Sequence, residues 1–386
     1  MAEPTPASEA PSAPIDINTI PYDAPLSFPE PPSSWTSAQN RKGSKGTRVK
    51  TPENIDLRGK WVVISGSNNG IGREAAIQMA SWGANLILAC RDPPPKETHP
   101  TVVVEECKNA AKEAGHEETE VEWWEMDCAK LESVEAFAKR WLETGKALDL
   151  LCNNAGIGSS PGGAEVFRTA DGFEIVHQVN LLSHVLLTLR LLPSIARAPA
   201  PRIICTTSCF HYLGKYDLSN FNGELGLAGT EGVHYYMNNK LWFQIWISEL
   251  QARLLARPAY THITVQGVHP GYVNSGVWNL NNKNAWWKVF FLKCAAWVLG
   301  ITPQQGSLAI TVAATSVDAG ADPDIQGVGE KGGRGGGRYF NRVWEEEPMP
   351  HTKDSDARLR VWRKVNDELK LQEKGLLDVL GLEALE

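Results

Sequence analysis

The stretch that decides the fold runs from Lys60 to Arg91 and reads KWVVISGSNNGIGREAAIQMASWGANLILACR. Two short apolar runs, KWVVISG and ANLILACR, flank the helical sequence GREAAIQMASWG, and a glycine-rich turn joins the first run to the helix. Short, nearly continuous apolar runs are typical of strands that are buried on both faces. The stretch therefore predicts a strand, a helix and a second strand.

The same alternation continues towards the C-terminus. Further apolar runs occur in VEWWEMD, LDLLCNNAG, RIICTTS and HITVQGVHPG, with helical sequences between them. Buried strands that alternate with helices predict a parallel sheet covered on both faces, and right-handed crossovers make that sheet doubly wound. We therefore predict one α/β domain with a Rossmann fold over residues 55–375. Residues 1–50 are rich in Pro, Ser and Ala and bury little apolar surface, so we predict a disordered tail there.

The composition narrows the class of function. A formal net charge of −7 argues against a nucleic-acid partner. The seven cysteines are scattered, several within apolar runs, which predicts free thiols in a reducing compartment, and their spacing predicts no metal site. The N-terminus lacks the pattern of a secretory signal, and the run VFFLKCAAWVLGI is too short to span a bilayer. We expect a cytoplasmic protein, with peripheral contact to a membrane or lipid droplet as the alternative.

The turn SGSNNGIGRE, Ser65 to Glu74, has the features of a dinucleotide-binding loop. Its glycines, Gly66, Gly70 and Gly72, allow a tight turn and close backbone approach, and the helix N-terminus offers N–H groups to a pyrophosphate. A glycine-rich turn without a ligand is the alternative. Because the turn follows a predicted strand and opens a predicted helix, we favour dinucleotide binding.

The end of the second predicted strand bears on the choice of cofactor. Arg91 stands at its tip, and its planar guanidinium matches the oxygens of the extra phosphate of NADP. Asp92 follows directly, and an acidic side chain there suits the ribose hydroxyls of NAD. We predict NADP as the cofactor and leave NAD open.

The stretch VHYYMNNKLW, Val233 to Trp242, holds two adjacent tyrosines and a lysine. Tyr236 and Lys240 are four residues apart, so they share a helical face, although such pairs also arise by chance. A nearby ammonium favours the phenolate, so Lys240 is expected to lower the pKa of Tyr236. Tyr235 has no lysine at this spacing.

Five motifs in order resemble those of the short-chain dehydrogenase/reductase superfamily. They are SGSNNGIG, with Ser65 in place of the usual threonine, then NNAG, RIICTTS, YMNNK and HPGYV. The finer patterns LILACRD, TTSCFHYLGK and TPQQGSLAI are similar to its retinol-dehydrogenase-like branch, which includes WW-domain oxidoreductases. The resemblance covers about residues 55–375, and nothing upstream resembles a WW domain.

The resemblance implies a catalytic tetrad. Tyr236 exchanges a proton with the substrate oxygen, Lys240 also holds the nicotinamide ribose, Ser208 positions the substrate oxygen, and Asn180 supports the proton relay. Asn239 and Ser183 depart from the branch, which commonly has serine and glycine there. The cofactor-binding residues implied are Gly66, Asn68, Gly70, Ile71, Gly72, Arg91, Asp127 (at the adenine), Asn153 (beside the adenosine ribose), Tyr236, Lys240, Pro270, Gly271 and Val273.

The resemblance also implies a small hydrophobic substrate, such as a retinoid, a sterol, a fatty aldehyde or a secondary metabolite. The segment VWNLNNKNAWWKVFFLKCAAWVLG stands where the superfamily has its variable substrate lid, and it suits either a bulky apolar substrate at a lipid surface or packing on its own protein. A homodimer through the YxxxK helix is a further expectation. The alternative function is a cofactor-binding scaffold with little turnover, whose tail carries partner motifs.

Overall fold

One twisted sheet organises the molecule. The computed structural model describes residues 22, 24–42, 47–158, 165–227, 232–273, 300–321 and 335–385. Within these residues the sheet has eight strands in the order β3-β2-β1-β4-β5-β6-β7-β8, all parallel except β8. The strands are β1 (Trp61–Ser65), β2 (Asn85–Cys90), β3 (Val121–Glu125), β4 (Leu150–Asn153), β5 (Arg202–Thr206), β6 (Thr264–His269), β7 (Tyr339–Asn341) and β8 (Trp344–Glu346).

Helices cover both faces of this sheet. The longer helices are α1 (Ser33–Lys42), α2 (Gly70–Ser81), α3 (Pro100–Glu113), α4 (Leu131–Glu143), α5 (Ile175–Ile195), α6 (Val233–Leu255), α7 (Pro303–Thr315) and α8 (Ser355–Leu369). Successive side chains of β1 point to opposite faces: Val63 packs in the core with α4, α5, α6 and α8, whereas Val62 and Ile64 pack in the core with α2, α3 and α7. The predicted doubly wound Rossmann fold is confirmed.

The strand order places the site. The chain runs outward from β1 to β2 and β3, and then crosses back to pair β4 with the other side of β1. At such a reversal the loops after the two strands separate and leave a crevice at the carboxyl ends of the strands. The glycine-rich turn after β1 and the NNAG loop after β4 both open at this point.

The YxxxK helix, α6, is covered by its own chain. It is buried along most of its length, and Trp246 stacks on Trp362 of α8 with ring centroids 6.2 Å apart. Glu249 pairs with Arg253 at 2.7 Å and with Arg358 of α8 at 3.1 Å. In this chain α8 therefore occupies part of the α6 surface, and a homodimer through α6 stays a prediction.

Helix α5 is the one helix among the described residues with the length and apolar composition to cross a membrane. However, 89% of its most apolar window is buried inside the protein, as expected for a core helix. It contains a π turn over Gln178–Leu182, whose wider backbone spacing shifts the side chains that follow.

Part of the segment predicted as a disordered tail, residues 24–42 and 47–50, is described in the structure. Here the chain forms α1 and packs on the domain: Lys42 pairs with Glu346 at 2.9 Å, and Gln305 exchanges two hydrogen bonds with the Val49 backbone at 2.8 and 2.9 Å. Trp35 also packs against the core, so the described part of this segment is anchored although its composition offers little apolar surface. Residues 1–21, 23 and 43–46 lie outside the described residues.

Candidate active site

In the glycine-rich turn, the backbone packs closely against itself and against the NNAG loop. Gly66 has a φ of 64°, and a Cβ there would lie 2.8 Å from the Ala155 Cα. A Cβ on Gly72 would lie 2.5 Å from the Gly66 carbonyl oxygen and would also contact the Asn154 side-chain amide. Glycine is therefore required at both positions, by conformation and crowding at Gly66 and by crowding alone at Gly72.

Ser65 joins this turn to the NNAG loop. Its hydroxyl oxygen accepts hydrogen bonds from the backbone N–H groups of Asn154 and Ala155, at 2.8 and 2.9 Å. The Asn154 side-chain amide donates in return to the Ser65 carbonyl oxygen at 2.9 Å. Serine, which replaces the usual threonine, thus makes the contacts that align the two loops.

A cleft of about 860 Å³ opens where the loops separate. Such a volume is suited to a small-molecule ligand or cofactor. The predicted site residues that line it are Gly66, Asn68, Gly70, Ile71, Arg91, Asp127, Ser208, Tyr236, Lys240, Pro270, Gly271 and Val273. Gly72, Asn153 and Asn180 do not line it.

Two cations lie at the end of the cleft near β2. Arg91 and Lys96 both line it, and the Arg91 guanidinium pairs with Glu97 at 2.8 Å. Asp92 does not line the cleft, and its carboxylate is 3.5 Å from the His99 ring. The sequence reasoning missed Lys96, although its place in the proline-rich loop directly after β2 was a usable signal.

Three of the predicted catalytic side chains lie at the opposite end of the cleft. Tyr236 shares a side-chain hydrogen bond with Ser208, whose hydroxyl also accepts from the Phe210 N–H at 3.2 Å. Lys240 donates to the Thr206 carbonyl oxygen at 2.8 Å, and its Nζ is 5.6 Å from the Tyr236 ring centroid. Helix α6 and the end of β5 therefore bring three of the four predicted catalytic side chains together.

The expected lowering of the Tyr236 pKa by Lys240 is absent. Burial raises the pKa of Tyr236, and the hydrogen bond from Ser208 opposes this only in part. Burial also lowers the pKa of Lys240 to about 7. A lysine that is only partly charged at neutral pH cannot strongly stabilise a phenolate, so burial dominates at both groups.

Tyr235 is excluded from the cleft. Its hydroxyl donates to the Phe221 carbonyl oxygen at 2.6 Å, and its ring packs edge-on against Trp242. One residue along a helix corresponds to a rotation of about 100°, so adjacent tyrosines face different surroundings. Of the two adjacent tyrosines, Tyr236 lines the cleft and Tyr235 does not.

The side chains of Asn180 and Asn153 lie behind the cleft wall. The Asn180 amide accepts from the Ile157 N–H and donates to the Ile157 carbonyl oxygen, both at 2.8 Å, from within the π turn. Asn153 is fully buried and donates to Thr188 at 2.8 Å, so its side chain does not reach a ligand in the cleft. Asn154 lines the cleft instead, and sequence reasoning missed it.

The two departures from the family pattern also lie behind the wall. Ser183 donates to the Cys128 carbonyl oxygen at 2.6 Å, and the Asn239 amide is 3.0 Å from the His177 ring. Neither residue lines the cleft. Sequence reasoning also missed Phe210 and Tyr272, two aromatic residues that do. The segment predicted as a lid, from Val277 to Gly300, lies outside the described residues except for its last residue.

Comparison with known proteins gives a consistent result. A family model for short chain dehydrogenase matches residues 60–219. Human retinol dehydrogenase 14 is 31% identical over 334 residues, which span 85% of this chain and 92% of that protein. Mouse retinol dehydrogenase 13 is 30% identical over 314 residues, 81% of this chain and 84% of that protein. A solved structure of an uncharacterized protein from Mycobacterium paratuberculosis has a TM-score of 0.57 at 24% identity, covers 84% of this chain and 98% of its own, and shares the fold.

Proposed function

This chain belongs to the short-chain dehydrogenase/reductase superfamily, in its retinol-dehydrogenase-like branch. From this premise we propose that it is an NADP-preferring enzyme that interconverts an apolar alcohol and its carbonyl. Membership makes it an NAD(P)-dependent oxidoreductase that acts on CH–OH groups. The observation that carries the proposal is a single cleft with a glycine turn at one end and the Ser208–Tyr236 pair at the other.

The cleft suits a nicotinamide dinucleotide. The backbone of Gly66 and Gly70 lines the cleft, and helix α2 begins there with its N-terminal N–H groups. Gly66, Asn68, Gly70 and Ile71 would hold the pyrophosphate region, and Lys240 would hold the nicotinamide ribose. The bound cofactor supplies or accepts the hydride.

Tyr236 and Ser208 supply the rest of the chemistry. Because burial raises the Tyr236 pKa, the phenol keeps its proton at neutral pH and can donate it to a carbonyl oxygen. Ser208 would hydrogen-bond the same oxygen and hold it near the phenol. In this protonation state the phenol can act as the acid of carbonyl reduction.

Arg91 and Lys96 support the preference for NADP. Both cations line the cleft beside β2, whereas Asp92, the residue that would suit the ribose hydroxyls of NAD, does not. A guanidinium and an ammonium together can bind a phosphate dianion. The Arg91 guanidinium, which pairs with Glu97, would then contact both the Glu97 carboxylate and the phosphate.

An apolar substrate is supported by the aromatic side chains of Phe210 and Tyr272 in the cleft wall. Two relatives are named as retinol dehydrogenases, so a retinoid is the first substrate to test. We propose a cytoplasmic location: the six described cysteines are free and buried, as expected in a reducing compartment. Peripheral membrane or droplet contact stays a prediction.

The deciding experiment compares wild type with Tyr236→Phe, using Tyr235→Phe as the matched control. NADPH and NADH are titrated by fluorescence, and all-trans-retinal and other apolar carbonyls are then assayed by cofactor absorbance. We expect tighter binding of NADPH, and a loss of turnover of about 10³-fold in Tyr236→Phe without weaker cofactor binding. Tyr235→Phe should keep its turnover.

Equal turnover in wild type and Tyr236→Phe would overturn the assignment of the acid. Cofactor binding with no turnover of any carbonyl would move the scaffold alternative ahead. Deletion of residues 1–50 would not separate these functions, because residues 24–42 and 47–50 pack on the domain. Deletion of residues 1–21 leaves those contacts in place and is the cleaner test of a partner-binding tail.

A further inference from the structure

Helix α1 packs beside the catalytic end of the cleft. Its Trp35 ring meets the Tyr212 ring edge-on, with centroids 5.7 Å apart. Tyr212 belongs to the short 3-10 turn Cys209–Leu213, which begins directly after Ser208. Seven residues beyond its start, α1 also reaches the cleft wall, where the Asn40 amide is 3.5 Å from the Tyr272 hydroxyl. A segment near residue 40 thus touches the surroundings of residues 208 and 272.

This helix is anchored at both ends. Before it, the Tyr22 hydroxyl donates to Asp367 of α8 at 2.6 Å. After it, Lys42 pairs with Glu346 of β8 at 2.9 Å, and the Val49 backbone bonds to Gln305 of α7. Contacts with three separate elements restrict the position of α1, so it can transmit a fixed position to the side chains that it touches.

One of the side chains that α1 touches, Tyr272, belongs to a row of aromatic rings along the cleft. Tyr272 and Phe210 both line the cleft, and their ring centroids are 5.9 Å apart. The Phe210 ring meets the Tyr236 ring edge-on at 6.2 Å. This aromatic wall, Phe210 and Tyr272, therefore extends from the proposed acid along the cleft towards α1.

The buried side-chain amide of Asn40 is unfavourable for the free energy of folding. Its oxygen is buried and has no hydrogen-bond partner among the residues that the structure describes. A buried acceptor without a partner is unfavourable for folding. An apolar residue would avoid this cost, so stability does not explain the asparagine, whereas a contact with Tyr272 does.

We propose that α1 sets the substrate side of the cleft: Tyr272 contacts the apolar body of the substrate, Asn40 is a positioning residue that holds Tyr272, and Trp35 holds α1 against the turn after Ser208. The inference rests on the proposed function and deepens it. An extended apolar carbonyl reaches the wall, whereas a short aldehyde occupies only the space beside Ser208 and Tyr236. Changes to the aromatic wall should therefore alter KM for long substrates and leave KM for short substrates unchanged.

The test uses the full chain with NADPH and compares all-trans-retinal with propanal. Asn40→Leu removes the amide at similar size, and Ser37→Ala, at an exposed position of the same helix, is the matched control. Loss of one hydrogen bond of about 1 kcal/mol should raise KM for retinal about fivefold in Asn40→Leu. We expect kcat, KM for propanal and the Kd of NADPH to stay within about twofold. Ser37→Ala should match wild type throughout.

A second variant keeps the test decisive if Asn40→Leu folds poorly. Tyr272→Phe keeps the ring and removes the hydroxyl, and it should raise KM for retinal by a similar factor. Because both changes break the same contact, the double variant should also show about a fivefold rise rather than their product. Unchanged KM values for retinal in Tyr272→Phe would overturn the inference.

The outcomes separate this inference from the proposed function. If wild type reduces retinal and the variants match it, only the role of α1 fails. If wild type binds NADPH but neither reduces retinal nor binds it in a fluorescence-quenching titration, the proposed function fails and this inference fails with it. A rise in KM for propanal equal to that for retinal would also overturn the wall as a selective contact.

Discussion

The two ends of the cleft are built in different ways. The cofactor end consists of backbone from two loops, the glycine turn after β1 and the NNAG loop after β4, which Ser65 holds together. The substrate end consists of side chains from distant parts of the chain, including Phe210, Tyr272 and a helix near residue 40. A site built of backbone tolerates little change in shape, whereas a site built of side chains can change its ligand by substitution.

The largest expected effect lies at the cofactor end. Gly72→Ala would place a Cβ 2.5 Å from the Gly66 carbonyl oxygen, so the turn must open. We expect the Kd of NADPH to rise at least about 100-fold, since the backbone N–H groups move away from the phosphates. Isothermal titration calorimetry measures this. Gly59→Ala, which has a φ of 73° but no neighbour within 4 Å, is the control for backbone strain alone. Equal loss in both variants would contradict crowding as the cause.

The next effect concerns the acid at the substrate end and its dependence on pH. Since burial raises the pKa of Tyr236, the phenol stays protonated across neutral pH, and carbonyl reduction should change little there. Alcohol oxidation needs the tyrosinate, so its rate should rise about tenfold per pH unit below that pKa. Rates of both directions at saturating cofactor test this. An oxidation rate that levels off near neutral pH would show that the pKa is lowered instead.

Selectivity for the cofactor should change by a smaller factor. Arg91→Leu removes one of two cations beside β2 and should reduce the ratio of NADPH to NADH affinity about tenfold, with Lys96 retaining part of the preference. Competitive titration of both nucleotides gives the ratio. Arg58→Leu, which removes an exposed guanidinium paired with Asp56, should leave it unchanged. An unaltered ratio in Arg91→Leu would remove the argument for NADP.

The smallest effect is on stability. Lys240 is buried, and its pKa falls from 10.5 to about 7 on folding, so the unfolded chain binds more protons between these values. Burial of Lys240 therefore lowers the free energy of unfolding by its full amount below about pH 7, and by less and less as the pH rises towards 10.5. Lys240→Met should therefore raise the free energy of unfolding by about 1 kcal/mol at low pH, and less at high pH, while turnover is lost. Urea unfolding at pH 6 and pH 9 checks the sign; a larger gain at pH 9 would contradict it.

The sequence was sufficient for the parts of the site that depend on local order. The glycine turn, the end of β2 with Arg91, and the choice of Tyr236 over Tyr235 all follow from spacing along one strand or helix. The roles of Asn153 and Asn180 stay predictions: both carry the expected amides, and both amides bond to the protein behind the cleft wall. A motif specifies the element, whereas packing decides which side of it faces a ligand.

Three features were decided only by tertiary structure. Burial reversed the expected pKa of Tyr236, because desolvation depends on everything packed around the hydroxyl rather than on one lysine. Helix α8 packs on α6, the helix through which the sequence predicts a homodimer. Helix α1 forms in a segment whose composition predicts disorder, because its contacts lie far away in the chain. The periodic sequence by itself determined the sheet, the crevice and the helix face that carries Tyr236, since these depend on local backbone geometry. The aromatic side chains of Phe210 and Tyr272 in the cleft wall and the burial of Tyr236 and Lys240 came from the fold alone, since they depend on long-range packing.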